Sequence, residues 1–274
     1  MIPKIGHINF LNVSPLNYGY QNTAHDLQIV YGVPTFLNGE LKAGRIDISN
    51  ISSIEFARQS DELLILPKIC VRADVDVTSI ILVSRKPIEQ IRDDKIILTS
   101  KSATAQRLLK IILHDSYDAA PNYETRTVTV ENLVDEDATA ALLIGDDALY
   151  VYLHRPKNFY VYDLGKEWHK LTGRQMVYAL WSVRKNFVAE NPELFKSTYE
   201  KILRAFEFGM EHKADAIKSV LDKKPFTFNE LDKYLGGVIK WDLTLEALEA
   251  LKLYYKKAYA LKLIDVEPDL KFAE

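Results

Sequence analysis

The chain of 274 residues has one cysteine, Cys70, so no disulfide can form within it. Cys70 lies in the apolar run LLILPKICV, where a buried, inert thiol is expected. Lys and Arg number 35 against 38 Asp and Glu, a net charge of −3, and no basic tract stands out. That balance argues against a nucleic-acid partner. No segment approaches the roughly 20 apolar residues that span a bilayer, so no membrane partner is expected. The opening MIPKIGHINF has no apolar stretch of secretory type. A cytoplasmic protein is the expectation. Nucleotide-binding glycine loops, GxSxG and HExxH are all absent, which removes the commonest cofactor and hydrolase signatures. The histidines are His7, His25, His114, His154, His169 and His212, and none has a metal-ligand spacing. Structural or solvated roles are expected for them, with no metal and no cofactor.

What is present is an ordinary globular composition, 47% hydrophobic and 27% charged, sufficient for one or two domains. Short apolar strands alternate with helical segments. KIGHIN, LQIVYGVP and RIDISNI predict strands, with the helix TFLNGELKAG ended by Gly44 and a second helix, SSIEFARQS, capped by Ser52 or Ser53. DVTSIILVSRKP predicts a long strand ended by Pro87. The rhythm then restarts with DKIILTS, a periodic helix SATAQRLLKIILHDSY, YETRTVTV, TAALLIGDDALYVYL and FYVYDLGKEW. QMVYALWSVRKNF is one more strand, and a helical tail follows from about residue 191. Two α/β units result, the second inserted in the first. The expected boundaries are 1–85 plus 180–274 for one lobe and 86–179 for the other, joined by two strand crossings with a cleft between them.

In such folds ligands sit beyond the carboxyl ends of the strands. The polar residues there are the candidates: Asn12 and Ser14; Asn50, Ser52 and Ser53; Ser79 inside the crossing strand; Ser100, Ser102 and Thr104; Gly145, Asp146 and Asp147; and Asp163. LTSKSATAQRLLK combines hydroxyls with a helix start, which suits a carboxylate or phosphate as well as a plain cap. Asp146 lies near a strand end and could take a hydroxyl or a proton, while Asp147 suits dipole complementation.

INFLNVSPL, LKAGRIDISNISSIEFA, TSIILVS, LTSKSATAQRLLKIIL, LLIGDDAL and YDLGKEWHKLTG, in this order over roughly residues 4–185, resemble the chorismate dehydratases of the futalosine route to menaquinone. The resemblance implies an α/β fold of the type II periplasmic-binding-protein kind, with mixed sheets, helices on both faces, a two-strand hinge and an inter-lobe cleft. It implies a lyase that converts the dicarboxylate chorismate to 3-[(1-carboxyvinyl)oxy]benzoate without a cofactor, with the substrate's own enolpyruvyl carboxylate as base. By motif it makes Asn12 and Ser79 the catalytic residues. Ser102 and Thr104 fall at a carboxylate-binding helix start, and Ser14, Ser52, Ser53, Ser100, Gly145 and Asp146 complete the substrate-binding set. The related 1,4-dihydroxy-6-naphthoate synthase carries histidine where this chain has Gly145, which favours the dehydratase. A small-anion-binding protein without catalysis is the competing class. One departure is VRADVDVT, more charged than the family's small, glycine-containing segment. There Arg72, Asp74 and Asp76 are either solvated or reshape the cleft edge.

Overall fold

The structure, a computed structural model, describes residues 2–24 and 26–274; His25 lies outside them. The chain opens with β1 (Lys4–Ile8), α1 (Ser14–Thr23), β2 (Gln28–Gly32), α2 (Pro34–Lys42), β3 (Ile48–Ser52), α3 (Ser53–Arg58) and β4 (Leu63–Ala73). A second group follows: β5 (Ile80–Ser84), β6 (Lys95–Thr99), α4 (Ala103–Tyr117), β7 (Asn122–Arg126), β8 (Ala140–Ile144), α5 (Gly145–His154), β9 (Tyr160–Asp163) and α6 (Leu164–Thr172). The chain then returns through β10 (Met176–Arg184), α7 (Lys185–Glu190), α8 (Pro192–Glu211), α9 (Lys213–Leu221), α10 (Phe228–Lys233), β11 (Ile239–Lys240) and α11 (Leu245–Ala260).

Two mixed sheets result. The first has the order β11-β4-β10-β3-β1-β2, the second β7-β6-β8-β5-β9. The pairs β1–β2, β1–β3, β6–β7 and β6–β8 are parallel, as the strand–helix alternation predicts. β10 lies antiparallel between β3 and β4. Its first eight residues are all buried, which explains a strand that reads as a nearly continuous apolar run.

The strands are allotted differently from the expected boundaries. β5 pairs with β8 and β9 and so belongs to the second sheet, not with residues 1–85. β10 joins the first sheet from Met176, before the expected return at 180. The chain therefore passes between the sheets within residues 74–79 and back within 173–175. The long strand expected from Asp76 is interrupted as well. Thr78 has φ +58°, outside the β region, so β5 begins only at Ile80 and Ser79 precedes the strand.

The helical tail ties the molecule together. α1 and α8 cross in backbone contact. A Cβ on Gly19 would lie 1.7 Å from the Ala205 carbonyl oxygen, and one on Gly209 1.8 Å from that of Pro15, so only glycine fits this crossing. On α11, Tyr255 donates to the Ser53 carbonyl at 2.7 Å and Tyr254 to the Thr104 carbonyl at 3.1 Å. One helix thus reaches the starts of α3 and α4, which belong to different lobes. Among the described residues, no helix is long and apolar enough to cross a membrane.

Candidate functional site

β3 has the sequence ISNIS, and all five of its residues are buried although three are polar. Ser49 is accounted for by a bond to the Gly6 carbonyl at 3.3 Å. Asn50 and Ser52 are not. Both ends of the Asn50 carboxamide and the Ser52 hydroxyl lack any hydrogen-bond partner within the protein. Buried polar groups without partners cost roughly 1–3 kcal/mol each, so their convergence on one place points to a ligand.

That place is a pocket between the two sheets. Its polar lining is Asn12, Asn50, Ser52, Ser79, Ser102 and Tyr178, with Gly145 at one edge. Ile8, Phe10, Val71, Val77, Ile144 and Ile239 supply apolar walls. The Asn12 Oδ1 and the Tyr178 hydroxyl are also buried without partners. Burial pushes the Tyr178 phenol well up, so it stands as a neutral donor.

Six expected candidates therefore meet here: Asn12, Asn50, Ser52, Ser79, Ser102 and Gly145. Each has a local reason. A Trp241 Nε1–H bond of 3.0 Å to the Asn12 carbonyl pins the turn after β1. Ser52 is the N-cap residue of α3, yet its hydroxyl makes no capping bond and is left for the cavity. Ser102 caps α4 by accepting from Ala105 N–H at 3.2 Å, which places the start of that helix at the cavity wall. Gly145, at φ +73°, turns β8 into α5, and a Cβ there would approach the Phe10 ring at 3.4 Å.

The other expected residues lie off the cavity, in structural bonds. Ser14 donates to the Leu11 carbonyl at 2.8 Å, and Ser53 to that of Val177 at 2.8 Å. Ser100 is exposed in the turn before α4. Thr104 Oγ1 accepts from Ile54 N–H at 3.1 Å, a bond between the two lobes. Asp146 accepts from Leu11 N–H at 3.0 Å and pairs with Lys224 at 2.6 Å, so it latches the second lobe to the first. Asp147 pairs with Lys101 at 3.1 Å. Arg72 is not solvated. It lies buried and forks onto both carboxylate oxygens of Asp242 at 2.8 Å, with further bonds to Asp74 and to Gln175 at 2.6 Å. Cys70 is buried, with its thiol pushed well up by burial. Tyr178 and Tyr234 were missed. Their strand and helix patterns look like core, and only the fold shows that one faces the cavity and the other donates to Ser79 Oγ at 2.7 Å.

Two mixed sheets, two crossing segments and a polar cavity between them make up the two-lobed fold of the periplasmic-binding-protein kind. The E. coli periplasmic aliphatic sulphonate binding protein SsuA has the same fold, with TM-score 0.66 and 14% identity over all of this chain and 92% of that one. The chain belongs to the menaquinone biosynthesis family, which it matches over residues 3–260. Among its relatives is the chorismate dehydratase of Thermus thermophilus, 30% identical over 202 residues, 69% of this chain and 70% of the relative. That of Campylobacter jejuni is 27% identical over 267 residues, 95% of this chain and 98% of the relative.

Proposed function

We propose that this protein is a chorismate dehydratase, a hydro-lyase that removes water from chorismate to give 3-[(1-carboxyvinyl)oxy]benzoate. The observation that carries the reading is the set of partnerless polar groups on Asn12, Asn50, Ser52 and Tyr178 around one cavity. They offer donors and acceptors to a polar ligand whose ring would rest against Phe10, Ile8 and Val71. The start of α4 behind Ser102 supplies a positive dipole end for a carboxylate.

The chemistry suits a cavity of this kind. Among the described residues, its polar lining carries no charged side chain. The hydrogen removed is vinylogous to the ring carboxylate, so the developing charge spreads onto that carboxylate. Departure of the neighbouring hydroxyl then completes the aromatic ring. With the enolpyruvyl carboxylate of the substrate taking the proton, the protein's task is to orient the dianion and stabilise charge. Asn12 can donate to one substrate oxygen and accept from a hydroxyl at once. Ser79 receives a hydrogen bond from Tyr234, and its own proton has only a 3.3 Å contact to the Val77 carbonyl. It is thus free to donate to the leaving hydroxyl.

Ser79→Ala tests this assignment. Relative to wild type, kcat on chorismate should fall by about a hundredfold, as for loss of one oriented donor, while the fold persists. Turnover within a few-fold of wild type would remove Ser79 from the chemistry.

A further inference from the structure

Ser79 sits directly after a strained turn. Thr78 is β-branched and has φ +58°, a conformation that costs such a residue of its own accord. The turn is a γ-turn: Ser79 N–H donates to the Val77 carbonyl at 2.7 Å, across Thr78. The Thr78 hydroxyl is buried and has no partner, so the side chain contributes no bond that would favour this shape.

What holds the turn is Asp163. This residue ends β9, pairs across the sheet with Ile81 and is 4% exposed. Its carboxylate accepts from Val77 N–H at 3.1 Å to each oxygen and from Thr78 N–H at 2.6 Å, and it caps α6 by accepting from Lys166 N–H at 3.0 Å. Only an acceptor with no hydrogen of its own satisfies three converging donors. The segment DVTSIILVS favours an extended strand when taken alone. Extending it through Thr78 would restore the twofold alternation and turn Ser79 away from its present face.

We propose that Asp163 is a positioning residue: by holding Val77 and Thr78 in the γ-turn, it fixes the Ser79 hydroxyl at the cavity wall, beside Tyr234. This rests on the reading of Ser79 as a substrate-facing donor.

The test uses Asp163→Asn, Thr78→Gly and the double variant, with two readouts: kcat and KM for chorismate, and amide exchange of Val77 and Thr78. Asn places an NH2 against one of the donors. Asp163→Asn should speed exchange of those two amides at least about tenfold and lower kcat by roughly thirtyfold, with KM within about threefold of wild type. Glycine adopts φ +58° without strain, so adding Thr78→Gly to Asp163→Asn should restore kcat by about fivefold or more, a coupling that independent sites would not show. Unchanged exchange in Asp163→Asn, or no restoration by glycine, would overturn the proposal and leave Asp163 as a helix cap. If Asp163→Asn alone does not fold, the double variant should; failure of both overturns it too. Wild-type protein inert toward chorismate would refute the functional reading, and amide exchange would still decide whether Asp163 holds the turn.

Discussion

Asn12 and His7 stand five residues apart and face opposite problems. The Asn12 carboxamide oxygen is buried without a partner beside the cavity, and a ligand can satisfy it. Asn12→Asp keeps the volume but sets a negative charge against a dianion. Turnover should drop at least about a hundredfold with Tm little changed, and kcat and Tm measured side by side check this. If Asn12 only shapes its turn, Asp would serve as well and activity would stay within a few-fold. His7 is wholly buried in T-shaped contact with the Tyr20 and Tyr31 rings, with neither ring nitrogen bonded. Burial lowers its pKa from 6.5 to about 3. The unfolded chain therefore takes up the proton first as pH falls. Stability is intact above about pH 6.5 and declines below it, by at most about 1.4 kcal/mol per pH unit, until the folded-state pKa is reached. His7→Phe should flatten that acid limb in urea melts between pH 6.5 and 4, and an unchanged slope would assign it to other groups. Gly145→Ala places a Cβ in the left-handed region and against Phe10. It should cost about 1–2 kcal/mol and lower Tm by a few degrees.

Helices and strands were largely legible, because apolar periodicity survives into the fold. β1, β2, β3, β6, α4 and β10 fall where the spacing predicts. The sequence also marked the helix starts, but not which hydroxyl faces a ligand. Ser52 and Ser53 are adjacent hydroxyls in one stretch, yet β3 turns the first into the cavity and the second onto the Val177 carbonyl. α1 was obscured by its polar composition; packing on α8 makes it a helix. β11, of two residues, leaves almost no pattern to read. Asp146 looked like a group for the substrate, whereas the fold uses it as a latch across the cleft. Asp146→Ala removes a charge-assisted bond to Leu11 N–H and the Lys224 pair. KM for chorismate should rise roughly tenfold, with kcat less affected, because the closed state is weakened. An unchanged KM would mean that the lobes close without it.

Across the whole molecule, the two lobes are joined by more than their crossing segments. Thr104 to Ile54, Asp146 to Leu11 and Gly145 N–H to the Ser79 carbonyl all bind second-lobe groups to first-lobe or crossing residues. The tail adds Tyr254 to the Thr104 carbonyl and Tyr234 to Ser79. None of these long-range pairs could be seen in the sequence, since each joins residues whose local patterns say only helix, strand or loop. The same applies to the lobe boundary. DVTSIILVS reads as one strand, and the break at Thr78 comes from Asp163, 85 residues further on. What composition and order did convey is the two-lobed α/β plan with polar strand ends, and hence where a ligand would lie.

The most direct test of the central claim is proton NMR of chorismate incubated with the purified wild-type protein. Dehydration should abolish the signals of both saturated ring protons, the one geminal to the enol ether being removed and the one geminal to the departing hydroxyl becoming aromatic. It should give four aromatic signals of a meta-substituted benzoate that keeps its two vinylic enol-ether protons. Chorismate that protects the protein against thermal unfolding yet remains unchanged in the spectrum would contradict it, and would make the cavity a binding site without dehydratase activity.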